Sequence, residues 1–190
     1  MITAPRFPRQ DAVEVWQDVL SRTFQVFSYY HWYWLEIEHP KLKGEERSIT
    51  VKNAALESSL MSIRDLDDFF RSSGGRKDDV LSSDFQYTPQ GKILSDDERE
   101  GINKKLAHLT YCGVHERRLA GIRSNPRTWD YADLAVRAMY HFAAFLDFLE
   151  SVFFASDTAQ QKLIRSARKV INPTVANIKA LAKHELDFTA

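Results

Sequence analysis

The chain has 190 residues, 44% hydrophobic and 27% charged, and its 26 basic and 26 acidic side chains give a formal net charge of zero. That length suits one domain with a substantial core, taken as 1–190. The neutral balance argues against holding long duplex DNA, which takes a marked positive excess.

Twelve Phe, seven Tyr and four Trp supply a large burial payload, whereas seven glycines and six prolines are few for a turn-rich β-sandwich. Cys112 is the sole cysteine, so an intramolecular disulfide and a four-cysteine zinc site are excluded. Residues 1–10, read as a flexible arm, lack the apolar core of a signal peptide. Charged residues interrupt every apolar run before the roughly 18 residues a bilayer span needs. The expectation is a cytoplasmic protein that does not enter a membrane.

Residues 11–38 predict a first long helix: Asp11 and Glu14 resemble a capping box, and Val13, Trp16, Leu20, Phe24, Phe27, Tyr30 and Trp34 recur at three- and four-residue spacing. Pro40 ends it. The run 29–35, YYHWYWL, is aromatic all round, and one helix layer does not readily absorb rings pointing every way. A homodimer contact through this helix is therefore expected, with a further internal layer as the alternative.

A second helix is predicted over 50–71, with Leu56, Leu60, Ile63, Leu66 (or Asp67) and Phe70 on one face and the Ser72–Gly75 run as its stop. Residues 76–94 read as a long connecting loop with one helical turn around Asp79 to Ser83. Ser95 and Glu98 form a capping box that opens a third helix to about Cys112, with Ile102, Leu106 and Leu109 as its core stripe. Gly113 to Pro126 is basic and loop-like, with continuation of the helix over Val114 to Leu119 as the alternative.

Another long helix runs from Thr128 to about Phe154, and Asp157 with Gln160 starts the next. Asn172–Pro173 is expected to restart it, carrying the stripe Val175, Ile178 and Ala182. No stretch alternates like a strand. The fold class is all-α: a helical bundle of about five to seven helices, two of them long.

Within the third helix, His108 lies roughly 240° around from Ile102, off the core stripe, with Lys104, Lys105 and Tyr111 within about a turn of it. An imidazole near neutrality beside cations suits acid–base chemistry on a phosphodiester. The alternative is an interface histidine beside solvated lysines.

This helix resembles the signature helix of the HEPN superfamily, helical bundles that include many prokaryotic RNases of toxin and defence systems. The signature is an arginine, four to six residues of any kind, then a histidine, with a tyrosine shortly after. His108 matches the histidine and Tyr111 the tyrosine, while Asn103 stands at the arginine position for the shortest spacing. Longer spacings fall on Ile102 and Gly101, and Arg99 is too far away. The resemblance implies metal-independent RNA cleavage across a dimer, with His108, Arg64 and Asn103 as catalytic residues. Lys104 and Tyr111 would bind substrate, and neither metal nor cofactor is called for.

Arg64 enters because Glu57, Arg64 and Asp68 share a face of the second helix, and a bidentate guanidinium there suits a phosphate. Its structural alternative is an intrahelical Arg64–Asp68 pair. Asp133, Arg137 and His141 recur every four residues on the fourth helix, as a pocket lining or an ion-pair row. Glu36 and His39 have di-metal spacing, but Pro40 follows and no second such pair exists, so His31, His39, Glu36 and Glu38 are not expected to hold metal.

Glycine-rich nucleotide motifs, P-loops, serine-hydrolase elbows and zinc-binding HExxH or CxxC motifs are absent. Two readings follow: a HEPN-like protein that binds or processes RNA in a prokaryotic defence or stress system, or a non-catalytic bundle acting by protein contact.

Overall fold

The computed structural model describes residues 9–27, 31, 39, 41, 46–71, 80–103 and 131–188. They form five α-helices: α1 Arg9–Gln25, α2 Glu46–Phe70, α3 Asp96–Ile102, α4 Tyr131–Phe148 and α5 Thr158–Phe188. A 3-10 turn, Ser82–Phe85, lies in the connection after α2, and a π turn, Leu149–Phe153, extends α4. No strand occurs among the described residues. The all-α bundle is as the periodicity predicts; among the described residues the two longest helices are α2 and α5.

α1 begins at Arg9 and ends earlier than the 11–38 pattern predicts, passing into a turn at Val26–Phe27. The turn has a physical cause. Thr23 Oγ1 donates to the Val19 carbonyl at 2.8 Å, a back-bond that competes with the helix ladder. Beyond it, the Gln25 carbonyl accepts from Ser59 of α2 at 3.1 Å, and the Val26 carbonyl accepts from the Tyr131 hydroxyl of α4. Tertiary donors thus take carbonyls that a continuing helix would use. His31 is helical again, its N–H bonded to the Phe27 carbonyl, and most of the aromatic run 29–35 lies outside the described residues.

The buried face of α1 is Ala12, Trp16, Val19, Thr23 and Val26, so Phe24 turns 37% outward rather than lining the core. Trp16 is fully enclosed, and its indole N–H donates to Gln160 Oε1 at the start of α5, at 2.9 Å.

α2 lies antiparallel to α1: Arg22 meets Asp65 at 3.6 Å, while Gln25 meets Ser59 and Ser62. Its predicted stripe holds, with Leu60, Ile63, Leu66 and Phe70 buried. α4 runs in the same direction as α2, since Tyr131 reaches the Val26 carbonyl beside Ser59, and Phe145 packs on Phe69 and Phe70. α5 returns antiparallel to α4, tied by Arg168 to Asp147 and Arg165 to Glu150. Its inner stripe is Ile164, Ala167 and Ile171.

The heart of the core is aromatic. Phe145 has Phe69, Phe85 and Tyr87 at 5.3 Å between ring centres and Phe70 at 5.7 Å, mostly edge to face. Phe85 arrives from the 76–94 connection, which also buries Ile93 and Leu94, so the described part of that segment, 80–94, is folded onto the bundle. The predicted helical turn sits at Ser82–Phe85, slightly later than expected. Asp84 accepts the Leu81 N–H at 2.9 Å, and Gly91 uses a φ of +90° that favours glycine.

α3 opens with the predicted capping box: Ser95 Oγ accepts the Glu98 N–H at 3.2 Å, and Glu98 accepts the Ser95 N–H at 2.7 Å. Ile102 is buried as expected, while Leu106, Leu109 and the basic stretch 113–126 lie outside the described residues. The Phe154 N–H bonds back to the Leu149 carbonyl at 2.7 Å, the five-residue step of the π turn. Asp157 caps α5 by accepting the Gln160 N–H at 3.1 Å. α5 then runs unbroken to Phe188, so Asn172–Pro173 does not restart it. Proline removes one ladder donor, and the helix continues on the bonds either side. The side chains of Val175, Ile178 and Ala182 lie outside the described part.

Candidate functional site

A cluster of charged side chains converges where α2 ends, α3 begins and α4 passes alongside. At the centre is Asp67, 1% exposed and on the apolar stripe of α2. Its Oδ2 accepts from Arg71 Nε and from Arg99 Nη1 of α3, each at 2.7 Å, and its Oδ1 accepts the Leu94 N–H at 3.0 Å. A buried carboxylate is tolerated when charged donors satisfy it in this way. Arg99 also pairs with Asp68, and Arg71 reaches Asp96 at 3.5 Å.

The second centre is Arg137 on α4. Its guanidinium grips Glu98 of α3 in a fork, at 2.6 and 3.2 Å, lies 2.9 Å from Asp133 Oδ2, and donates to the Ile93 carbonyl. The Ile93 carbonyl and the Leu94 N–H belong to one peptide group. That group is therefore held from both sides, by Arg137 of α4 at its oxygen and by Asp67 of α2 at its nitrogen.

The protonation behaviour follows this geometry. Hydrogen bonds from Arg137, with those of the Ser95 cap, hold the Glu98 carboxyl below its ordinary range against the opposing effect of burial. The hydrogen bond to Glu98 raises Arg137 in turn. Burial disfavours charge on Arg99, but its bonds to Asp68 and Asp67 outweigh that and raise it. His141, half-buried with its ring centre 5.7 Å from that of Phe70, is lowered by burial; Asp67 pulls it upward and Arg137 lowers it further.

Of the residues the sequence singles out, Arg64 and Asp68 form an intrahelical pair at 3.8 Å, and Asp68 is shared with Arg99. Glu57 is exposed on the same helix. Asp133, Arg137 and His141 line the α4 side of the junction, with Arg137 as the interhelical link. Asn103 caps the end of α3; its N–H bonds back to Arg99 and Glu100, and its Oδ1 is buried without a hydrogen bond from the described residues.

His108, Lys104, Tyr111 and Cys112 lie outside the described residues. So do Glu36 and Glu38, whereas His31 and His39 are exposed. Among the described residues no three His, Cys, Asp or Glu side chains converge to hold a metal ion, and no helix is long and apolar enough to cross a membrane.

Sequence reasoning missed Asp67, Arg71 and Arg99 as members of one cluster and took Glu98 only as a cap. One signal was available: Asp67 is a carboxylate on an apolar stripe, a position that needs a charged partner. Its helical partner Arg71 is four residues on, but Arg99 is 32 residues away and reaches it only through the fold.

The junction brings matched charges together. Among the described residues, Arg64, Arg71, Arg99 and Arg137 face Asp67, Asp68, Glu98 and Asp133, in equal number. No family model, no curated protein and no solved structure matches the chain.

Proposed function

We propose that this chain acts by contact with another protein rather than by chemistry at the α2–α3–α4 junction. One observation carries the reading: the arginines there are already engaged by carboxylates, Arg99 by Asp67 and Asp68 and Arg137 by Glu98 and Asp133. A phosphate would have to displace a charge-assisted bond at each of these two. Arg64 is held more loosely: its Nε lies 3.8 Å from Asp68 and makes no hydrogen bond among the described residues. The aromatic run 29–35 is the proposed surface for self-association, and the lone Cys112 suits a reducing, cytoplasmic setting.

A second reading, HEPN-like RNA processing in a defence or stress system, is favoured by one observation. Asn103, which opens the spacing to His108, presents a buried carbonyl oxygen that no described residue satisfies. One experiment separates the two. Labelled single-stranded and hairpin RNAs are incubated with the full chain, with His108→Ala alongside and melting temperatures recorded for both. The contact reading expects no cleavage and no salt-dependent RNA binding. Cleavage that disappears in His108→Ala at unchanged melting temperature overturns it in favour of RNA processing.

A further inference from the structure

We infer that the outward face of α5 docks an acidic amphipathic helix of another protein, one whose aliphatic side chains and carboxylates recur together every two turns. The inference rests on the contact reading and names the chemistry of the partner.

α5 gives one side to its own core, through Ile164, Ala167 and Ile171. The opposite side consists of Ala159, Lys162, Leu163, Ser166, Lys169 and Val170, all exposed. Steps of three and four residues put these six on a single face, the pattern by which one helix packs on another. The pair Lys162–Leu163 recurs seven residues later as Lys169–Val170, close to two full turns. The two lysines therefore share one edge of the face and the two aliphatics the other. Leu163 and Val170 are 37% and 49% exposed, and they stand about 10 Å apart along the axis.

The charge on this helix specifies the partner. From Thr158 to His184 there are six cations, Lys162, Arg165, Arg168, Lys169, Lys179 and Lys183, and no acid, in a chain whose net charge is zero. Arg165 and Arg168 are taken by Glu150 and Asp147, which leaves Lys162 and Lys169 with no carboxylate among the described residues. A helix with a carboxylate opposite each lysine and an aliphatic opposite Leu163 and Val170 meets both edges at once. A bilayer fits the face less well, because the helix's richer apolar stripe is already buried in the core. A nucleic acid also fits less well: Asp147 and Glu150 lie beside the arginines and would repel its phosphates.

Fluorescence anisotropy of a labelled synthetic peptide against the full chain tests this. The peptide, about 21 residues of alanine, leucine and glutamate, has leucine at every seventh position with glutamate beside it. A scrambled peptide of the same composition is the control. Two double variants, Lys162→Glu with Lys169→Glu and Leu163→Ser with Val170→Ser, run alongside with their melting temperatures. The expected result is saturable binding of the periodic peptide, weaker by about tenfold or more in each variant at unchanged melting temperature. Binding to the charge-reversed chain should return when the peptide's glutamates are exchanged for lysines, which a loss of folding would not allow. No saturable binding, equal binding of the scrambled peptide, or variants that bind as the natural chain does overturn the inference. Self-association in sedimentation that the lysine variant abolishes also overturns it and assigns the face to a second copy. Tighter binding of single-stranded RNA or of anionic lipid vesicles than of the peptide, lost in the same variant, overturns it likewise. None of these failures by itself removes the contact reading, which has the 29–35 run as another surface and falls to RNA cleavage that depends on His108.

Discussion

Five successive residues at the end of α2 serve two different neighbourhoods. Phe69 and Phe70 enter the ring cluster around Phe145, while Asp67, Asp68 and Arg71 form the charged junction with α3. The ring cluster is non-directional: each aromatic has several partners, and loss of one contact leaves others in place. The junction is directional, because Asp67 has a donor for each oxygen and each donor reaches it along a set line. Apolar packing here supplies stability, and charge pairing supplies position. A buried ion pair is a poor source of net stability but costly to break from one side, which is the profile of a positioning device.

The largest expected effect comes from the ring cluster. Phe145→Ala removes the ring that four others touch and should cost about 3–5 kcal/mol in urea unfolding. Its damage should be global, with all probes of unfolding moving together; loss confined to α3 would break the contrast between the two regions. Asp67→Ala comes next, at about 3 kcal/mol, because it removes the acceptor of the Leu94 N–H and the buried carboxylate shared by Arg71 and Arg99, leaving them only Asp96 and Asp68. A cost under about 1 kcal/mol would mean that water serves those donors as well as the carboxylate does.

Tyr131→Phe should cost about 1–2 kcal/mol, since it strips the hydroxyl donor from the Val26 carbonyl at the end of α1. A neutral result would remove the account of why α1 turns there.

A smaller, directional effect belongs to His141. Burial lowers its pKa below the ordinary 6.5, so on acidification the unfolded chain takes up the proton first. Its contribution is complete above that ordinary value and fades as pH falls through the lower folded one. His141→Phe should flatten the stability profile between neutral and mildly acidic pH; an unchanged slope would show that the imidazole is not held neutral. The smallest effect should come from Val152→Ser on the exposed surface, within about 0.5 kcal/mol by thermal melting.

Much of the fold was legible because helical signals are local. Leu60, Ile63, Leu66 and Phe70 announce the buried face of α2, and Ser95–Glu98 and Asp157–Gln160 announce two helix starts. The phase of α1 was misjudged because hydrophobicity favours Phe24, whereas Thr23 is the buried one, its hydroxyl satisfied by the Val19 carbonyl. The junction was legible only in part. Arg64–Asp68 and Arg137–Asp133 are four-residue pairs that any helix brings together. Arg99–Asp67 and Arg137–Glu98 span 32 and 39 residues, and no periodicity reaches that far.

The central claim is that Asp67 and Arg99 act as one unit that positions α3. A double-mutant cycle of Asp67→Asn and Arg99→Gln, read by urea unfolding, measures it. Coupling of about 1 kcal/mol or more, with the double variant less destabilised than the sum of the singles, is the predicted result. Costs that add within about 0.3 kcal/mol would show the two side chains to be independent and contradict the account.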